Sequence, residues 1–356
     1  MLKELTIKGK TVKLPIFCPD ATRGVVRSLT SGELKAEKVD GVIINTWHLH
    51  LRPGEQKIAQ LGGIGKLMNY NGLLISDSGG FQVFSLFQKD PRYGKITDEG
   101  LVTYTGKLRQ HKVLFTPENS IQMQFALGSD IMICLDDFTP PEADAPRLEQ
   151  SVTRTIAWAK RCKIEFEKQC AARGFTAKTR PLLFGVIQGH TDKAARQYCA
   201  QELLKIGFDG FGLGGWLLKE DGTLNLDICA YNASLTPDNL PRYALGFGKA
   251  EDVEALYKVG YTIFDCVLPT RDARHGRIYT ENGYLYIDKL KYELDEQPLE
   301  AECDCTTCRN YSRAYLHHLF KIGDSAFYRL ATCHNLRFYT RLCERLRGKE
   351  KLMPKK

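Results

Sequence analysis

Short apolar runs recur along this chain, each separated from the next by a stretch long enough to hold a helix. The runs are Leu14–Cys18, Val42–Asn45, Leu73–Ser76, Ile131–Leu135, Leu182–Ile187, Gly210–Leu213, Tyr243–Phe247 and Thr262–Cys266. They are continuous rather than alternating, which is the pattern of parallel strands covered on both faces. The segments between them carry helical spacing. One opens at Thr30, with Glu33 placed to close a capping box, and another runs from Leu148 to Lys168. Strand and helix in alternation predict βαβ units. Eight of them in one chain predict an α/β fold of the (β/α)8 TIM-barrel type rather than an open doubly wound sheet. A dinucleotide fingerprint is missing after the first run, and Phe211-Gly212-Leu213-Gly214-Gly215 lacks its full spacing.

Catalytic residues of such barrels stand at the C-terminal ends of the strands. Following each run gives Asp77-Ser78-Gly79-Gly80 after the third, Asp136-Asp137 after the fourth and Gln188-Gly189 after the fifth. Gly214-Gly215 follows the sixth and Gly246 to Lys249 the seventh, while Asp265 closes the eighth. A lone strand-end aspartate is usually a cap or turn residue; several polar groups converging on one mouth are a site. Two carboxylates facing one cavity suit cleavage of a glycosidic bond, one attacking the anomeric carbon and the other managing the proton of the departing group. Asp136, Gln188 and Gly215 have the acceptor and donors needed to read the edge of a guanine. Phe81 is placed either to stack on such a base or to pack as a core aromatic beneath the loop.

Near the C-terminus, Cys303-x-Cys305-x-x-Cys308 is followed 26 residues later by His334. Three thiolates and one imidazole fill a tetrahedral Zn2+ site, the pattern of a structural ion with no open position. Spacing alone leaves His317 and His318 as alternative fourth ligands. Twelve cysteines, scattered apart from this cluster, fit a reducing cytoplasm better than a disulfide framework. With 43% hydrophobic and 26% charged residues in 356, the composition is that of a globular protein. No run has the apolar length of a membrane helix, and Met1-Leu2-Lys3-Glu4 does not open a signal peptide. The net charge of +8 is modest, but Arg271, Arg274, Arg277, Arg309, Arg313, Arg329 and Arg337 gather in the C-terminal third. That distribution predicts a phosphate-rich partner, and the run Arg347–Lys351 reads as a frayed tail.

Several blocks together resemble the tRNA-guanine transglycosylases, also called queuine tRNA-ribosyltransferases, in their bacterial form. They are Ala21–Gly24, Asn45–Leu49, Leu51–Gly54, Asp77–Leu86, Ala126–Asp130, Gly185–Gly189 and Phe264–Arg271, followed by the cysteine cluster and His334. The resemblance covers nearly the whole chain, in order. It implies a single barrel domain over residues 1–356 with a zinc-binding subdomain at 278–336, and His334 as the fourth ligand. The implied reaction replaces the wobble guanine of G-U-N anticodon tRNAs with a 7-deazaguanine through a covalent ribosyl-enzyme. By match, Asp265 is the nucleophile and Asp77 the general acid/base. Ser78, Phe81, Asp136, Gln188, Gly215, Trp216 and Leu245 bind the base, while Lys249, Arg271 and Arg274 hold the tRNA. The expected partners are the tRNA anticodon loop, guanine, the incoming base and a second copy of the chain. The target base must be flipped out to reach the pocket, and the glycosyl-enzyme must be shielded from water.

Some positions depart from the pattern. Trp216 stands where leucine is usual, Leu245 for a methionine and His190 for a second glycine. Leu218 and Phe138 replace smaller residues, and Asp272 an asparagine or serine. Bulk at Trp216, Leu218 and Phe138 predicts preference for the aminomethyl base prequeuine over the larger queuine, with Glu220 supporting the pocket loop. Rival readings are queuine itself as substrate, a relative that inserts a deazapurine into DNA, and a tRNA-binding subunit without catalysis. A pure binder has no need of both Asp77 and Asp265.

Overall fold

A computed structural model gives the coordinates of the chain, with residues 1–105 and 111–348 described. Its eight parallel strands are β1 (Ile16–Pro19), β2 (Gly41–Ile44), β3 (Leu73–Ser76), β4 (Ile131–Ile133), β5 (Leu182–Ile187), β6 (Gly210–Leu213), β7 (Arg242–Ala244) and β8 (Ile263–Cys266). They are ordered β1-β8-β7-β6-β5-β4-β3-β2. A parallel bridge between Asp20 and Ile43 joins the two ends, so the sheet closes on itself as a (β/α)8 barrel. Inward side chains such as Ile16, Cys18, Ile43, Ile75, Phe184, Tyr243 and Ile263 fill its interior. Outward ones such as Val42, Ile44 and Leu74 pack beneath the helices. Burial on both faces is the reason the strands read as unbroken apolar runs. Each predicted strand is present. Leu14 and Pro15 lead into β1, and Leu135 and Leu245 to Phe247 fall in the loops beyond β4 and β7.

Three elements escape the apolar pattern. An antiparallel hairpin, Glu4–Ile7 with Lys10–Lys13, precedes the barrel. Its two-residue turn has positive φ at both Lys8 (49°) and Gly9 (79°), the geometry that matches strand twist. Leu5, Ile7 and Leu14 join the interior cluster. The hairpin lies across the N-terminal ends of the strands: Lys8 Nζ donates to Ser129 O at 2.7 Å, and Lys10 Nζ to Asp130 Oδ2 at 2.9 Å and Gly72 O at 3.1 Å. Asp130, which also accepts from the Leu74 N–H at 3.0 Å, therefore belongs to the barrel floor. A second insertion, between β3 and β4, is the antiparallel sheet Gly94–Thr97, Gly100–Thr105 and His111–Phe115. A third antiparallel pair, Arg277–Thr280 with Gly283–Tyr286, follows β8.

The helix at Ser31–Ala36 starts as expected, with the Glu33 carboxylate accepting from the Thr30 N–H at 2.7 Å. The long helix is Ala145–Ala172. After β8 come a short helix, Leu268–Arg274, and finally the helix Ser325–Leu346, which covers β1 with Tyr339 stacked 4.1 Å from Phe17. Arg347 is no frayed residue: its Nη2 donates to Pro15 O at 2.7 Å and to Asp40 Oδ2 at 3.0 Å. The remainder of that basic run, from Lys349, lies outside the described residues.

Candidate active site

Side chains alternate along a strand, so the inward set Cys18, Ile43, Ile75 and Ile263 is followed, one layer up, by Asp20, Asn45, Asp77 and Asp265. These four ring one side of the mouth. Asp265 stands beside Cys18 in the β8–β1 register. Its Oδ1 accepts from Tyr243 Oη at 2.7 Å and from the Gly246 N–H at 2.8 Å. Oδ2 takes neither bond and is the oxygen available to a substrate. Loss of water around this carboxyl pushes its pKa up to about 6, against the two hydrogen bonds, with the Asp20 charge adding to the rise.

Asp77 is held on both oxygens. Oδ1 accepts from the backbone N–H of Thr46 at 2.9 Å and of Gly79 at 3.1 Å, and Oδ2 from Asn45 Nδ2 at 2.6 Å. Gly79 has φ of 80° and leads into the helix Gly80–Lys89. A side chain there would sit in a left-handed conformation 3.3 Å from Trp47 N. Ser78 is buried, its Oγ accepting from the Gly80 N–H at 3.2 Å.

The adjacent aspartates after β4 divide into two roles. Asp137 is fully buried and neutralised by two arginines of the long helix, Arg147 (2.5 and 2.9 Å) and Arg154 (2.6 Å). Among the described residues no cation pairs with Asp136, and Gln188 Nε2 donates to its Oδ2 at 2.6 Å. Burial lifts the Asp136 carboxyl to about 6, the Gln188 bond works against the rise and the Asp137 charge adds to it. Gly215, with φ of 89°, lies against the same amide: a Cβ there would be 3.2 Å from Gln188 Oε1. The structure thus gathers Asp136, Gln188 and Gly215 at one place. Phe81 is 53% exposed, so it is not a core aromatic. Phe138 meets it edge-on at 5.2 Å and lies 5.1 Å from Phe84. Trp216 is 44% exposed, and Glu220 is exposed. Leu245 leans into the barrel toward Gly212.

The basic cluster is smaller than its seven arginines predict. Arg337 is buried between Asp304 and Glu344, Arg313 pairs with Asp295, and Arg329 pairs with Glu33. Each is engaged by a carboxylate of the protein's own, although Arg329 is exposed. Arg271, Arg274 and Arg277 do stay beside the mouth, on or just after the helix that follows Asp265. Arg271 is exposed, Arg274 donates to Thr270 O at 2.8 Å, and Arg277 stacks 3.6 Å from the Tyr284 ring. Lys249 is exposed at the start of the helix Ala250–Lys258. Arg309 is also exposed.

Cys303, Cys305, Cys308 and His334 bring one ligand atom each within 4.8 Å of one another, so the group can hold a metal ion. His334 Nδ1 is 3.2 Å from Cys308 Sγ and 3.6 Å from Cys305 Sγ, the spacing found around a tetrahedral ion. Its other nitrogen, Nε2, lies 2.7 Å from Tyr279 O and donates to it, which frees Nδ1 as the ligand. His317 is instead bonded to Ile287 O, and His318 is exposed. The next residue, Asn335, accepts from the Tyr279 N–H at 3.0 Å and donates to Pro269 O at 3.1 Å and Arg277 O at 3.0 Å. The helix carrying His334 thereby grips the segment bearing the rim arginines.

Residues that composition does not reveal include Asn45, Thr46, Tyr243 and Gly246, which hold the carboxylates of Asp77 and Asp265, and Asp20. Asp20 accepts from Thr22 Oγ1 and faces the mouth; only strand alternation counted from Ile16 exposes it.

Residues 2–349 match the family described as queuine tRNA-ribosyltransferase. A queuine tRNA-ribosyltransferase of Thermoanaerobacter pseudethanolicus is 41% identical over 337 residues, covering 94% of this chain and 86% of that protein. Proteins of the same name from Solidesulfovibrio magneticus (40% over 344 residues, 96% and 88%) and Haemophilus ducreyi (39% over 336 residues, 94% and 85%) are similar to the same extent.

Proposed function

The chain belongs to the queuine tRNA-ribosyltransferase family, and from that premise we propose that its barrel mouth exchanges the wobble guanine of G-U-N anticodon tRNAs for prequeuine. The observation that carries this reading is the pair of inward carboxylates, Asp77 just beyond β3 and Asp265 on β8, beside the guanine-reading set Asp136, Gln188 and Gly215. Asp265 Oδ2 attacks C1′ of the flipped ribose. The N9–C1′ electron pair leaves with guanine, which takes its proton from Asp77. The incoming base returns that proton to Asp77 as it attacks C1′ and releases Asp265. Ionised Asp136 accepts from the N1–H and exocyclic amine of the base, while Gln188 and the Gly215 N–H donate to its O6. Exposed Phe81 stacks on the base, and Ser78 closes the pocket from below.

Trp216 and Leu245 border this pocket, and Phe138, packed against both Phe81 and Phe84, narrows the space for a 7-substituent. Both features favour the aminomethyl base over queuine. Cys303, Cys305, Cys308 and His334 would hold one Zn2+ ion; the soft donor set and the Nδ1 geometry fit it. When bound, that ion supplies structural cross-linking and no chemistry. The segment 278–336 would form its subdomain and contribute to a homodimer. No helix among the described residues is long and apolar enough to cross a membrane. The twelve cysteines form no disulfide, in keeping with a cytoplasmic setting.

The deciding experiment is incorporation of labelled guanine into unmodified G-U-N tRNA, with prequeuine and queuine as competitors and a DNA duplex as alternative acceptor. Exchange into tRNA, competed best by prequeuine, is the expected result. Stronger competition by queuine would reverse the base assignment. Incorporation into DNA alone would replace the substrate, and tRNA binding without exchange would leave a binding subunit.

Rim arginines should act through phosphate. Arg271→Ala and Arg274→Ala are each expected to raise the KM for tRNA severalfold, with kcat for guanine exchange nearly unchanged. Each should flatten the dependence of log affinity on log salt by about one charge. Identical salt slopes in variants and wild type would remove these residues from the tRNA surface.

A further inference from the structure

The helix Lys193–Ile206 carries an arginine, Arg196, that is fully buried, and among the described residues no carboxylate pairs with it. Its guanidinium is instead spread over neutral acceptors. Nε donates to His190 O at 2.6 Å, Nη2 to Gly214 O at 2.9 Å, and Nη1 to Asn232 Oδ1 at 2.8 Å and Ile187 O at 3.3 Å. Ile187 and His190 flank Gln188, and Gly214 immediately precedes Gly215. One planar group therefore ties together the two loops that present the base-reading donors.

We propose that Arg196 is a positioning residue that fixes the separation of the Gln188 amide and the Gly215 N–H, and thereby sets affinity for the exchanged base. The inference rests on the base-binding role given above to Gln188 and Gly215.

Three features make this more than a buried cation meeting its hydrogen-bonding needs. The guanidinium fork is rigid, and three of its four acceptors are backbone carbonyls of the two loops, so those bonds transmit a fixed geometry to the loops. The loops lie directly on the arginine. A Cβ at Gly189 would be 2.6 Å from Arg196 N and 2.7 Å from its Cγ, and one at Gly215 would be 3.6 Å from its Nη2. His190, whose carbonyl takes the shortest of the bonds, has φ of 46°, a left-handed conformation uncommon for a residue with a Cβ. That conformation turns the loop back toward Arg196. Asn232 orients the guanidinium in turn, through its Nδ2 bond to Tyr261 Oη at 3.1 Å.

A lysine at this position keeps the charge but offers a single ammonium that cannot reproduce the fork. Arg196→Lys in the full-length protein is expected to raise the KM for guanine about tenfold, the effect of one weakened hydrogen bond, and to change the KM for tRNA by less than about twofold. Asn232→Ala, which leaves Arg196 in place but removes the closer of the two acceptors of its Nη1, should raise the KM for guanine in the same direction by a smaller factor. Circular dichroism and melting confirm that each variant is folded; if Arg196→Lys is not, Asn232→Ala decides. A guanine KM unchanged in the folded variants, or equal rises in both substrates' KM values, overturns the assignment. Absence of guanine exchange in the wild type would instead remove the reading on which it rests.

Discussion

Asp265→Asn is expected to abolish guanine exchange and, at neutral pH, to raise the melting temperature. Both effects come from the same burial. The folded carboxyl titrates at about 6, above its ordinary value near 3.9, because the mouth withdraws water from it. Ionising it therefore costs the folded state. The stability associated with this group is fully present below the unfolded value and is lost as pH rises through about 6. At pH 8 the penalty is about 3 kcal/mol, an upper bound because the mouth is open on one side. Asparagine keeps an oxygen for Tyr243 Oη and the Gly246 N–H, so it removes the charge without removing the partners. Melting of wild type and variant at pH 8 and pH 4 tests this: the gain should be present at pH 8 and absent at pH 4. A variant less stable at pH 8, or one that still exchanges guanine, would falsify the assignment of Asp265. The wild-type rate should also fall as pH drops through about 6, since both Asp265 and Asp136 must be ionised to act.

Removing the metal is expected to damage tRNA binding more than base binding. His334 and Asn335 hold both main-chain groups of one residue, the carbonyl and the N–H of Tyr279, and Asn335 also holds Pro269 and Arg277. These contacts bracket the helix that carries Arg271 and Arg274. Without an ion, three thiols and an imidazole have no common partner, and the helix end bearing them loses its anchor. Stripping the ion with a chelator, or the substitution Cys305→Ser, should cost several kcal/mol of stability. That corresponds to a fall in melting temperature on the order of 10 °C. The KM for tRNA should rise by a larger factor than that for guanine. Purified protein is expected to contain one zinc per chain by elemental analysis. Metal-free protein that melts and binds tRNA like the wild type would sink the idea.

The barrel was legible because its strands are apolar on both faces, and the placing of Asp77 and Asp265 at the mouth because they close such runs. The floor hairpin was not: Lys10-Thr11-Val12-Lys13 offers one apolar residue, too few for a pattern. Asp130 sits in a recognisable block, yet its partners Lys8 and Lys10 come from far away in sequence, so nothing local shows that it serves the floor. Adjacent Asp136 and Asp137 look equivalent until Arg147 and Arg154 claim one of them. The arginine count misled for the same reason: charge is visible in sequence, whereas its pairing with Asp295, Glu33, Asp304 and Glu344 depends on tertiary contacts. Arg196 carries no local mark at all, because its acceptors are three main-chain carbonyls and the amide of Asn232, 36 residues away.

The hairpin across the N-terminal ends of the strands has a bearing on the chemistry at the opposite end. Leu5, Ile7 and Leu14 complete the apolar interior beneath Cys18 and Ile263, and the lysine anchors on Asp130 hold them there. Among the described residues the barrel is in effect a well with an apolar base, and Asp265 stands on the side of its mouth. In the proposed reaction the polynucleotide itself sits over that opening. The substrate is then the stopper of the vessel in which it reacts, and a ribosyl ester on Asp265 is kept from hydrolysis for as long as the tRNA stays seated.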